Sequence, residues 1–219
     1  MHRLRVDECA QQVELPAGLH FDSPSTASVP EIIDALRTWF PNIGVGSASC
    51  LLRPSFYRHR VQLADRPEAA ARADHFMVLV RDHEQLAAVY CGRLDIATRS
   101  ATACLAAIAP RYRGMQLGLA ALRLAEVAAR SAGAELVQFM ATLHMPQMQS
   151  AAEELGWLLV GIIPGSDIEL LPDGHTRRVY EAVYVKVLCA PESLWPVRRG
   201  NMTPATLRLY GHLFGEPAD

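Results

Sequence analysis

The residues whose types and spacing could do chemistry lie in one run, Ala109-Pro110-Arg111-Tyr112-Arg113-Gly114-Met115-Gln116-Leu117-Gly118-Leu119-Ala120. A short apolar run, Cys104–Ala109, leads into it and a strongly helical segment, Gln116–Ala132, leads out. A strand, a glycine-containing turn and a helix start are the parts of an anion cradle. The first N–H groups of a helix have no intrahelical partner, and the helix dipole places partial positive charge on them. A phosphate binds such an end without a basic side chain. The turn lacks G-x-G-x-x-G and G-x-x-x-x-G-K-[ST], so neither a dinucleotide fingerprint nor a nucleoside-triphosphate loop is present.

The elements that must position this turn follow from periodicity. Ile32, Ile33, Leu36 and Phe40 recur at helical spacing, which predicts a helix near 29–39. Ser28-Val29-Pro30-Glu31 in front of it has capping-box spacing. Phe76–Val80 and Leu86–Leu94 read as a hairpin about the polar turn Arg81–Glu84, and Thr102–Ala109 as a third strand. Leu117, Ala121, Leu124 and Ala128 form the buried stripe of the following helix, and Gly133 ends it. Glu135–Leu143 reads as a buried strand and Pro146–Leu155 as a helix closed by Gly156-Trp157. Leu158–Ile163 and Val179–Leu188 read as strands joined by a polar loop, Gly165–Arg178. An Ala-rich patch, Glu68–Arg72, has helical character, and residues 1–27 read as an irregular arm. Thr203–Phe214 reads as an appended amphipathic helix. The expected organisation is therefore 1–27 lead-in, 28–190 main domain and 191–219 C-terminal extension with an amphipathic helix. The expected fold is α/β of the α+β type, with a mixed, mostly antiparallel central sheet and helices on both faces.

Composition narrows the function classes. Half of the 219 residues are hydrophobic, enough for a full core, and the net charge of −2 argues against electrostatic wrapping of nucleic acid. The cysteines, Cys9, Cys50, Cys91, Cys104 and Cys189, are odd in number and scattered. That argues against a disulfide framework or a zinc ribbon and for a reducing, cytoplasmic location. Cys91 and Cys104 sit in apolar runs and read as small core residues. The start lacks a signal-peptide apolar run, and no uncharged stretch reaches the ~20 residues of a membrane span. The histidines have no metal-ligand spacing, so no metal is expected.

The turn resembles motif A of the GNAT N-acetyltransferase superfamily, in which a strand ending x-Val/Ile-x-Pro is followed by x-Tyr-Arg-Gly-x-Gly-Ile/Leu-Gly. Pro110, Tyr112, Arg113, Gly114, Leu117 and Gly118 match, and Gln116 stands where Gly is usual. Glu154-Leu155-Gly156-Trp157 resembles the family's x-Leu-Gly-Phe, and the element order agrees from about 75 to 190. The resemblance implies acetyl-CoA, or another acyl-CoA, as co-substrate. The implied contacts are Arg113, Gly114, Met115, Gln116, Leu117, Gly118 and Leu119, with the pyrophosphate on the amides from Gly114 onward. Ala106, Ala107 and Ile108 would line the pantetheine arm, with the Ile108 N–H polarising the thioester carbonyl. A side chain at position 116 costs little at negative φ and about 1 kcal/mol or more at positive φ.

The family's usual proton-handling residues do not carry over. Thr102–Ala109 contains no carboxylate, the usual helix Tyr is Ala152 and the usual Asn is Met145. His144, beside that Asn position, is the first substitute, because its ordinary pKa range suits proton transfer. Asp95, Glu181, Tyr184 and Ser150 rank behind it. The Arg53, Arg58, His59 and Arg60 group lies where the family shapes its acceptor site; it is either a carboxylate-recognition patch or a solvated surface. Three readings follow. The first is an N-acyltransferase acting on a small-molecule or protein amine. The second is a catalytically silent acyl-CoA-binding regulatory or assembly module. The third is a scaffold subunit assembled through its tail helix. A homodimer is compatible with each, and none needs nucleic acid or a membrane.

Overall fold

The computed structural model describes residues 6–68, 73–171 and 173–217. The chain divides into two compact units, the first ending at Leu188 and the second beginning at Cys189. The first unit holds a seven-stranded sheet. Its strands are β1 (Leu19–Asp22), β2 (His75–Asp82), β3 (Gln85–Asp95), β4 (Ser100–Ile108), β5 (Leu136–Thr142), β6 (Leu158–Leu170) and β7 (Thr176–Val187), in the order β1-β2-β3-β4-β5-β7-β6. Only β4 and β5 pair in parallel. The other neighbours are antiparallel, as the sequence patterning predicts. A parallel pair needs a crossover, and α4 (Leu117–Ser131) supplies it.

The helices α1 (Val6–Ala10), α2 (Val29–Trp39), α3 (Pro54–Arg60) and α5 (Pro146–Glu154) complete the unit. Side chains alternate across a strand, and β2 feeds two cores in this way. Phe76, Val78 and Val80 join the core under α4, while Met77 and Leu79 join the one under α2 and α3. Burial on both faces is why 76–80 reads as an unbroken apolar run. The α4 stripe is buried as expected, and Ala120, Ala125 and Ala129 beside it are buried too.

Several expectations need correction. The 1–27 lead-in is not irregular throughout: it contains α1 and the edge strand β1, whose four residues pair with Leu79–Asp82. A strand of four residues is too short to show a period. Ser28 does not cap α2 through Glu31; its hydroxyl bonds the Ser25 N–H and carbonyl, each at 2.8 Å. The loop 165–178 is mostly strand, because β6 and β7 continue as a long ribbon with only 171–175 between them. Register shifts at Leu159/Gly161 and Ile163/Asp167 break the alternation that would have shown it. Residues 69–72 of the Ala-rich patch lie outside the described residues. In the second unit, α6 (Pro204–Phe214) forms as expected, its first turn capped by the Thr203 hydroxyl, which accepts from the Thr206 N–H at 3.2 Å.

Candidate active site

A single extra residue opens the site. On β3, Gly92 pairs with Ala103 and Cys91 with Leu105, so Cys104 is a β-bulge. Bulges bend a strand and increase its twist. The parallel pairing of β4 with β5 runs from Ser100↔Leu136 to Ala103↔Phe139 and stops there. Beyond it, β4 follows β3 and β5 follows β7, whose pairing continues to Thr142↔Glu181. The strands part around a cleft of about 390 Å³. Cys104 is therefore exposed at this opening and is not the core residue its apolar surroundings predict.

Backbone direction in the cleft follows from one bond. The Ala109 N–H donates to the Ala87 carbonyl on β3 at 2.9 Å. Amides alternate sides along a strand, and the register is regular from Leu105 to Ile108. The Ala107 amide thus points to β3, and those of Ala106 and Ile108 point into the cleft.

The turn before α4 is held from three sides. The Tyr112 hydroxyl donates to Asp82 Oδ2 at 2.8 Å, and Arg111 Nη2 reaches the same oxygen at 3.0 Å. The buried Tyr90 hydroxyl donates to the Leu117 carbonyl at 2.8 Å. The Arg113 guanidinium donates to the Ile108 and Trp39 carbonyls at 3.4 and 3.2 Å and lies over the Phe40 ring. Gly114 takes φ 86°, and Gln116 is left-handed at φ 57°, ψ 16°. The helix begins one residue later than expected, at Leu117, with Gln116 as its N-cap and no side chain bonded to its end. Among the described residues, no backbone acceptor meets the N–H groups of Gly114, Gln116, Leu117, Gly118 and Leu119. The Met115 N–H is used internally, donating to Tyr112 at 3.3 Å. A Cβ on Gly118 would stand 2.9 Å from Met148 Sδ, so the missing side chain also lets α5 approach the start of α4.

The candidate proton-handling residues separate in space. His144 is exposed on the turn after β5 and lines the cleft. Glu181 lines it too, is only 8 % exposed, and has no hydrogen bond or ion pair among the described residues. Its cross-strand partner Thr142 has a buried hydroxyl with no hydrogen-bond partner. Tyr184 faces the other way: it stacks on Phe139, and its hydroxyl donates to Glu153 at 2.9 Å. Burial, with Glu153 adding to it, pushes that phenol up to about 12. Asp95 accepts from the Thr98 N–H at 3.1 Å in the turn after β3, away from the cleft. Ser150 is exposed on α5, outside the cleft lining.

A second cavity of about 270 Å³ opens on the α3 face and shares Cys104, Asp167 and Glu181 with the cleft. His75 lines it, with Nδ1 2.7 Å from Asp74 Oδ1. Asp74 is gripped in turn by the Arg60 guanidinium, with Nε 2.7 Å from Oδ1. Burial alone would raise the Asp74 carboxyl, but the bonds from Arg60 and His75 outweigh it and hold it at about 2. Burial lowers His75 below its ordinary value, against the opposing pull of Asp74. Arg60 is thus engaged within the fold, which removes it from the supposed carboxylate-recognition group. Sequence reading ranked Glu181 low, although a signal was present: it interrupts a row of valines, Val179, Val183, Val185 and Val187, on one side of β7. Among the described residues, no three His, Cys, Asp or Glu side chains gather as a metal site.

Comparison with known proteins places this geometry. Residues 33–157 match the family model described as the acetyltransferase (GNAT) family. A search of curated proteins finds no match. Among solved structures, the spermidine/spermine N-acetyltransferase SpeG from Vibrio cholerae, in mutant form, superposes with a TM-score of 0.60 at 12 % identity, covering 79 % of this chain and 95 % of that one. RimL, a ribosomal L7/L12 α-N-protein acetyltransferase in complex with coenzyme A, gives 0.60 at 11 %, covering 80 % and 97 %. The microcin C7 self-immunity acetyltransferase MccE, in complex with acetyl-CoA and AMP, gives 0.56 at 13 %, covering 78 % and 93 %.

Proposed function

Because the chain belongs to the GNAT family of acetyltransferases, we propose that it transfers an acyl group, acetyl above all, from acyl-CoA to a primary amine by direct attack on the thioester. The observation that carries this reading is the parting of β4 from β5 beside a helix start whose amides are free. In it, the diphosphate of CoA lies on the amides of Gly114 and Gln116 to Leu119. The pantetheine arm pairs with β4 along Ala106–Ile108, and the cleft-facing N–H groups of Ala106 and Ile108 are the donors for the thioester carbonyl and its developing oxyanion. Arg113 shapes the loop through its two carbonyl contacts, and Met115 supplies an apolar side chain beside the diphosphate. Five free thiols suit a reducing cytoplasm.

Calorimetry with acetyl-CoA, followed by release of free CoA thiol against a broad amine panel, tests the reading. Binding with turnover is expected, and no binding at high ligand concentration would overturn it. Binding without turnover would favour the silent acyl-CoA-binding module. The loop is tested separately by Gly118→Asp, which sets a carboxylate against the diphosphate. Acetyl-CoA affinity should fall more than tenfold, with folding followed by thermal melting. Unchanged affinity would remove the loop from the site.

A further inference from the structure

Glu181 is a carboxylate of the cleft that is only 8 % exposed and meets no hydrogen-bond or ion-pair partner among the described residues. Its side chain is largely covered while lining both cavities, and a carboxylate so placed is stabilised by a cation or donor that meets it there. Asp167, its acidic neighbour, is already engaged: it accepts from the Ser47 N–H and hydroxyl at 3.0 and 2.8 Å and from the Ile168 N–H at 2.8 Å. The unsatisfied Thr142 hydroxyl lies directly across the strand pair from Glu181.

The height of this pair is fixed by register. Ala103 and Phe139 are the last paired residues of β4 and β5. Thr142 lies three pairs beyond Phe139, while the extra residue Cys104 sets Ala106 two pairs and Ile108 four pairs beyond Ala103, so the Thr142–Glu181 pair stands across the opening at a height between these two cleft-facing amides. Glu181 also lines both cavities, so it stands where the cleft between the strands meets the cavity on the α3 face.

We propose that Glu181 is the catalytic base and that the acceptor is a positively charged primary amine, which enters through the cavity on the α3 face and sets its ammonium against Glu181, with the Thr142 hydroxyl beside it. This rests on the acyltransferase reading above. The ammonium gives one proton to the Glu181 carboxylate, and the freed lone pair attacks the thioester carbonyl carbon. The C–N bond forms, the oxyanion is met by the cleft-facing N–H groups of Ala106 and Ile108, and the C–S bond breaks. The nitrogen's second proton passes to the departing thiolate, and Glu181 returns the first to solvent. The products are an amide, CoA thiol and one proton. His144, Asp167 and Glu169 face the same cleft, and His75 and Arg93 the acceptor cavity, and these are the charged and titratable groups around Glu181.

The test compares wild type, Glu181→Gln and His144→Ala, with a panel of primary mono-, di- and polyamines and neutral hydroxyl analogues as probes. Glu181→Gln should bind acetyl-CoA within a fewfold of wild type, which also reports its folding, while kcat falls roughly 10²–10⁴-fold. The acidic limb of the kcat/KM profile should disappear with Glu181→Gln and persist in His144→Ala. Should Glu181→Gln fold poorly, Thr142→Val provides the second readout: KM for the amine rises while acetyl-CoA affinity stays. Wild type that turns over with a Glu181→Gln variant equally active overturns the proposal, as does loss of the acidic limb in His144→Ala alone. Wild type that neither binds acetyl-CoA nor acetylates any amine overturns the acyltransferase reading, and this inference with it.

Discussion

At position 116 the backbone answers a question the sequence could only pose. Gln116 is left-handed at φ 57°, a conformation that costs a residue with a Cβ roughly 1–2 kcal/mol. Glycine, usual at this point in the pattern the turn resembles, takes this conformation without that cost, and this chain adopts it with a side chain. Gln116→Gly should relieve the strain and return part of the gain as extra freedom of the unfolded chain. The expected result in urea unfolding is stability unchanged or raised by up to about 1 kcal/mol. A loss larger than that would contradict the left-handed assignment. Glu181 makes the complementary point. Its residue type and strand position were legible, but its burial beside a free hydroxyl was not, because the cavity it lines is built with residues distant in sequence, Ser47, Ala48, Cys50 and Leu51 among them.

Among the elements, β4 decides the site, and the bulge at Cys104 decides β4. No local pattern marks it, since Cys104 lies in a run of small apolar residues that fits either register. What fixes it is the neighbouring strand. Gly92 stands opposite the bulge, and a Cβ there would lie 2.3 Å from Phe76 Cζ, inside a buried ring. Gly92→Ala should therefore cost roughly 1–3 kcal/mol, the usual range for overpacking. It should also weaken acetyl-CoA binding, because Phe76 lines the cleft. Adding Phe76→Leu should recover part of the loss, and a double-mutant cycle measures the coupling. Additive losses would show that Gly92 acts in some other way than by making room for the ring.

For the whole molecule, the staple of Arg60, Asp74 and His75 ties the end of α3 to the first core strand. The Asp74 carboxyl is held at about 2 in the fold, against about 3.9 in an unfolded chain. A depressed carboxyl contributes stability above its unfolded value and loses it as the pH falls through the folded one. His75, lowered by burial, is kept neutral and takes up a proton more readily when unfolded, so stability also falls as the pH drops below about 6.5. Wild type should lose stability on acidification in both windows. Arg60→Ala should be less stable at neutral pH, and its gap to wild type should close as the pH falls from about 4 to 2. Urea midpoints across the pH range measure this, and a gap independent of pH would exclude the staple.

The sequence by itself determined most of the strands and helices whose faces are buried, though not the short α1 and α3, together with their order, the turn before α4 and the family resemblance. Each of these rests on local spacing or on residues within a few turns of one another. Tertiary structure alone decided three things. It placed the edge strand β1 and the long ribbon of β6 and β7, whose short or bulged pairing erases the period. It parted β4 from β5, because a bulge exists only relative to a partner strand. It also set Glu181 and Thr142 across the opening from the amides of Ala106 and Ile108, because that placement is set by strand pairing between residues 88 and 185 and not by distance along the chain.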